Sequence, residues 1–162
     1  MVESTLWHPV ALSEAVAAQA PLAVQLLEQP VVLWRDSEGT VHALADRCPH
    51  RGARLSLGRV TPQGQLECPY HGWQFASSGQ CVKVPAVPAF TPPPQHCVKS
   101  FGVQEAYGLI WVQLEAAEVP LPVFDRNQGG IIEAHESLRR AEAEEAVVRS
   151  VLISQVGRAY DS

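Results

Sequence analysis

The segments Cys48-Pro49-His50-Arg51-Gly52 and Cys68-Pro69-Tyr70-His71-Gly72-Trp73 decide how this sequence is read. Together they give Cys-x-His, a spacer over residues 51–67, then Cys-x-x-His. Two thiols and two imidazoles are enough ligands for one metal centre. Each pair follows a strand candidate, and each His is followed by glycine. Gly52 and Gly72 open backbone angles that a Cβ forbids, so each loop can wrap closely around a bound group. A structural zinc site is one reading, because two Cys with two His is a common zinc set. Such zinc sites take a Cys pair from one segment and a His pair from another, whereas each loop here mixes one of each. A mixed pair suits two metal atoms side by side, each loop sending its thiolate to one and its imidazole to the other. A third reading, four unrelated core residues, sits poorly with two pairs that both lie in turns bearing Pro and Gly.

Working outward, the first 114 residues read as short strands broken by turns. Thirteen Pro and eleven Gly among 162 residues favour that over long helices. Strands are expected at 6–12, 22–27, 31–35, 41–44, 65–67, 73–75, 81–83, 98–105 and 108–114. One or two helical turns over 13–20 would be capped by Ser13 and ended by Pro21. Asp36-Ser37-Glu38-Gly39 reads as a hairpin turn, Gly39 supplying a positive φ. A second hairpin is expected to turn at Ala106-Tyr107. Between Val84 and Cys97 five of the residues are Pro, which predicts an extended crossover outside any sheet interior. A Pro-rich recognition motif is the rival reading of that stretch. After residue 114 the composition shifts. Residues 115–130 read as a linker, and 131–153, with Leu138, Ala141, Val148 and Leu152 at helical spacing, as a C-terminal helix. The expected domains are therefore 1–114 and a linker with helical tail over 115–162.

Composition narrows the function classes. Apolar residues are 46% and charged residues 18%, ordinary for a globular chain, and the net charge is −5. That acidity speaks against nucleic acid as a partner. No apolar run reaches the roughly 18 residues of a membrane span, and the first residues lack the basic start and apolar core of a signal peptide. The expectation is a cytoplasmic protein with no membrane partner, whose four Cys are metal ligands or free thiols.

The two loop segments resemble the Rieske domain of ring-hydroxylating oxygenases, found in the N-terminal half of their large subunit. The likeness runs from Trp7-His8-Pro9-Val10-Ala11-Leu12 through Val32-Leu33-Trp34-Arg35-Asp36 to Tyr107-Gly108-Leu109-Ile110-Trp111-Val112. The resemblance implies an all-β fold: an antiparallel sandwich or barrel with a two-loop cluster-binding subdomain, here followed by a short C-terminal helix. It implies one [2Fe–2S] cluster per chain, with Cys48 and Cys68 on one iron and His50 and His71 on the other. It also implies one-electron transfer with redox partner proteins, a reductase or a terminal oxygenase, and by weak analogy a trimer. Respiratory and photosynthetic Rieske proteins carry an extra Cys in each loop. The matching positions are Ala53 and Tyr70, so that disulfide is absent. Phe75, where that branch places a hydroxyl, cannot donate a hydrogen bond to sulfur. The expected potential therefore lies at the low end of the Rieske range, about −150 mV.

A family oxygenase also holds a mononuclear iron on two His and one carboxylate. After Cys97 the sequence offers His135 alone. The primary expectation is thus an electron carrier, the alternative a truncated or split oxygenase component, and the remaining rival a zinc domain. Cys81 and Cys97 read as free thiols, and His8, His42, His96 and His135 as ordinary strand, loop or helix residues. Arg51 either holds its loop or meets a partner carboxylate, and Trp73 is expected to pack beneath the loops.

Overall fold

The computed structural model describes residues 2–123, 133 and 135–140. It is built mainly of short antiparallel strands, as the sequence led us to expect: β1 (His8–Leu12), β2 (Leu22–Leu26), β3 (Gln29–Arg35), β4 (Val41–Ala45), β5 (Arg59–Val60), β6 (Leu66–Glu67), β7 (Gln74–Phe75), β8 (Cys81–Lys83), β9 (Gly102–Ala106) and β10 (Leu109–Gln113). A helical turn, Val2–Thr5, precedes β1, and two 3-10 turns lie at Ser13–Ala15 and Leu55–Leu57. The chain forms two compact units.

The first unit takes the described residues up to Ala15, Gln25–Glu28 and those from Gly102 onward. Its sheet runs in the order β1-β10-β9. β10 reads Leu-Ile-Trp-Val-Gln and is buried throughout, as the centre of a three-stranded sheet requires. Trp7, Leu12, Leu109, Trp111 and Leu138 form its core. The Trp7 indole N–H donates to the Val119 carbonyl at 2.7 Å, so the ring is buried without an orphaned donor. The β9–β10 hairpin turns at Tyr107-Gly108, one residue later than expected. Both residues have positive φ, 57° and 72°. A two-residue hairpin turn of this hand needs that at both positions, and Gly108 meets the requirement without strain. Of the expected C-terminal helix, Glu133 and residues 135–140 are helical, and the rest lies outside the described residues.

The second unit comprises Val16–Val24 and Gln29–Phe101. It carries a three-stranded sheet, β2-β3-β4, and a four-stranded one, β5-β6-β7-β8. β3 and β4 pair from Val31 opposite Ala45 to Arg35 opposite Val41. The apolar, β-branched run of β3 is what made it legible. The segment expected as one strand over 98–105 divides at Gly102. Its first part lies along β4, where Ala45 N–H donates to Lys99 O and Phe101 N–H to Ala43 O. The Pro-rich stretch contains no strand, as expected. The core joins Trp34, Leu44, Leu55, Leu66 and Phe75 to Cys48, Cys68 and Cys81. Full burial of side chains of this size contributes about 1.5–3 kcal/mol each. The two thiols of interest are thus anchored in the hydrophobic core of the unit.

Candidate metal centre

Residues 48–53 follow β4, and residues 68–73 form the connection between β6 and β7. The two loops repeat one hydrogen-bond frame. In the first, Cys48 N–H donates to Ala53 O at 2.8 Å and Gly52 N–H to Cys48 O at 2.8 Å. In the second, Cys68 N–H donates to Trp73 O at 2.8 Å and Gly72 N–H to Cys68 O at 3.1 Å. Gly52 and Gly72 occupy the same left-handed conformation, φ 72° and 71°. That is the role the sequence suggested for them, and it costs a residue with a Cβ about 1 kcal/mol or more.

The frame sorts the four side chains by depth. Cys48 and Cys68 are each 3% exposed, whereas His50 and His71 lie on the surface. The thiols neighbour one another closely enough to interact. The imidazoles face each other through Nδ1, at 3.2 Å. Two nitrogens held about 2.0–2.1 Å from one metal at a tetrahedral angle stand about 3.4 Å apart, so this spacing fits a shared ion. Among the described residues no three Cys, His, Asp or Glu side chains group around a single point. The donors come as two pairs, a buried thiol pair and a surface imidazole pair. A mononuclear zinc site would gather all four; a two-iron centre takes one pair at each end.

Electrostatics follows the same division. Burial pushes the Cys48 thiol up to about 11; the backbone N–H groups of His50 and Arg51 oppose the rise, and neighbouring Cys68 adds to it. Two thiols in such a place become thiolates when a metal cation takes their protons' positions. His50 lies below its ordinary 6.5, first through partial desolvation and then through the positive charges of His71, Arg51 and His96.

The surroundings include a contact that the sequence did not disclose. Trp73 packs against the core beside the cysteines, as expected. It also stacks on the His50 ring, with centroids 4.4 Å apart and planes 7° apart. Its other neighbour is His96, 5.4 Å away, which reads as an ordinary loop residue from sequence. No spacing rule links positions 73 and 96; the link depends on the hydrogen bond from Cys81 N–H to His96 O that brings the Pro-rich segment back to β8. Tyr70 lies against His71 at 4.0 Å and is 61% exposed. Cys81 is buried, Cys97 is exposed, and both are free thiols.

The chain matches the Rieske [2Fe–2S] domain model over residues 6–102 and belongs to that family. Its cofactor is a Rieske-type [2Fe–2S] cluster. The chain is 43% identical over 117 residues to the protein TIC 55, chloroplastic, of Arabidopsis thaliana, covering 72% of this chain and 22% of that one. It is also 43% identical over 116 residues to the methylxanthine N1-demethylase NdmA of Pseudomonas putida, covering 68% and 32%. Among solved structures it is similar to apo dicamba monooxygenase, with 37% identity and a TM-score of 0.69 over 80% of this chain and 39% of that one. The chain therefore spans about a fifth to a third of these curated relatives' length and corresponds to their Rieske part.

Proposed function

We propose that this chain is a one-electron relay with an oxygenase-type, low-potential cluster. Cys48 and Cys68 hold one iron, and His50 and His71, through Nδ1, hold the other. The observation that carries the assignment is the sorting of donors into a buried thiol pair and a surface imidazole pair. When bound, the group takes up and gives back a single electron. The protein's own work is to exclude water from the thiols, to orient the two rings, and to present the imidazole end at the surface. Trp73 fixes the plane of His50 by stacking. Phe75, in the same core as both cysteines, offers no hydroxyl to the cluster sulfurs, which supports a potential near about −150 mV.

Electrons would enter from a reductase and leave to an acceptor protein. A second reading, a component of a larger or split oxygenase, is favoured by the match to only the Rieske part of monooxygenase and demethylase relatives. Oxygen chemistry would then use a mononuclear iron outside the residues described, since the cluster's ligand positions are filled by Cys and His. A reducing compartment such as the cytoplasm suits the free Cys81 and Cys97.

Anaerobic reconstitution with iron and sulfide tests the reading. The expected product is red-brown, holds two irons per chain, and gives an electron paramagnetic resonance signal after dithionite reduction. A colourless protein loaded with zinc alone would overturn it, and a third iron per chain would favour the oxygenase reading.

A further inference from the structure

Trp73 meets two imidazoles from distant parts of the chain. It lies flat on His50 at 4.4 Å, and His96 stands 5.4 Å away at a tilt of 32°. Phe90 in turn meets His96, at 6.4 Å and 49°. Separations of this size are those at which aromatic rings attract one another. Hydrogen bonding does not explain why a histidine stands at position 96. Among the described residues its Nδ1 is buried without a partner, which costs the hydration of that nitrogen. What the ring does have is aromatic contact, with Trp73 on one hand and Phe90 on the other.

The backbone that carries His96 is tied down from several sides. His96 N–H donates to Pro93 O at 2.9 Å, and Cys81 N–H donates to His96 O at 2.9 Å. The half-buried Gln80 side-chain amide sits among three carbonyls, those of Pro93 at 3.1 Å, His96 at 3.2 Å and Cys81 at 3.3 Å. Three acceptors around it make the NH2 group, not the amide oxygen, the end that faces them. Gln80 thereby fastens residues 93–96 to the start of β8. The five prolines between Val84 and Cys97 have fixed φ angles, so the segment passes this restraint along rather than absorbing it.

His50 lies on the surface, where no core packing fixes its ring. Contacts made to a ligand ring by residues outside the ligand set decide how its nitrogen meets the metal. We propose that Gln80 and His96 are positioning residues for His50: Gln80 holds His96 in place, His96 holds the Trp73 indole, and the indole sets the plane of the ligand ring. This rests on the relay function above, in which His50 binds iron. The property of His96 that matters is its flat ring, not its hydrogen-bonding or its charge.

The test uses the full chain and three variants, H96A, Q80A and H96F. Pulsed electron paramagnetic resonance on the reduced, loaded proteins reads the nitrogen couplings of the two imidazole ligands. In H96A and Q80A the His50 coupling is expected to shift while that of His71 stays, and a chelator should strip the cluster about 10-fold faster. Proton resonance of the metal-free chain gives a reading independent of the cluster: the His50 ring protons, displaced by the Trp73 ring current, should move toward their unstacked positions in both variants. H96F keeps a ring and is expected to match wild type in all three measurements. Q80A removes no ring, so it decides the matter should H96A fail to fold. Wild-type values in the folded variants, equal shifts at His50 and His71, or an H96F that behaves like H96A would each overturn the proposal while leaving the relay function standing. A wild-type chain that loads no cluster would remove the relay function and this proposal together.

Discussion

The indole of Trp73 lies flat against the imidazole of His50, 4.4 Å away and within 7° of parallel. Trp73 also supplies the carbonyl that receives the Cys68 N–H. One residue therefore closes the second loop through its backbone and steadies a ring of the first through its side chain. Trp73→Ala is expected to cost about 2–3 kcal/mol, somewhat below the value for a fully buried Trp because this one is half-buried. Trp73→Phe keeps a stacking face and is expected to cost about 1 kcal/mol or less. Urea denaturation of the loaded protein, followed by cluster absorbance, separates the two.

His71→Cys tests the ligand pairing. A third thiolate in place of a neutral imidazole favours the oxidised cluster, so the potential is expected to fall from about −150 mV toward the roughly −400 mV of four-thiolate centres. Spectroelectrochemistry on the loaded variant reads it. A cluster that loads normally with an unchanged potential would show that His71 is not a ligand.

Gly58 and Gly39 should respond differently to alanine. A Cβ at Gly58 would collide with the backbone carbonyl of Glu67, which cannot swing away as a side chain would. A Cβ at Gly39 meets nothing, and only its φ of 84° opposes it. Gly58→Ala is expected to cost about 3 kcal/mol and Gly39→Ala about 1 kcal/mol. Thermal unfolding of the two variants under one set of conditions gives the comparison.

Acid should weaken the fold through His8. Its Nε2–H donates to the Glu3 carbonyl at 2.6 Å, which leaves Nδ1 unprotonated, buried and without a partner. Burial holds its pKa below the ordinary 6.5, although the Glu3 carbonyl works the other way. The folded state then binds fewer protons than the unfolded one below pH 6.5. Stability from this group is complete above that pH and is lost as pH falls toward the depressed folded value. The urea midpoint of the loaded protein is expected to drop between about pH 7.5 and 5.5. His8→Gln should flatten that slope.

The parts of this molecule that could be read from sequence share a physical reason. The runs that became β3 and β10 are apolar enough to announce buried strands, and Asp36 to Gly39 carries the turn chemistry that links β3 to β4. The candidate site stood out because Cys and His with adjacent glycines at those separations have few other uses. β5, only Arg59–Val60, was missed because two residues have no period to detect. The turn at Leu27-Glu28 was invisible as well. Both residues take positive φ, 49° and 68°, without a glycine to signal it. The stack of Trp73 on His50 arises from how two loops meet, and neither loop's spacing encodes it.

Each loop keeps its shape by hydrogen bonds that no iron supplies, from Cys48 to Ala53 and from Cys68 to Trp73. Loops closed by their own backbone bonds predict a mould that outlasts the metal, rather than slack chain that the metal draws into order. Chelation should then yield an empty but folded protein, one whose colour can be taken out and put back while its strands stay in place.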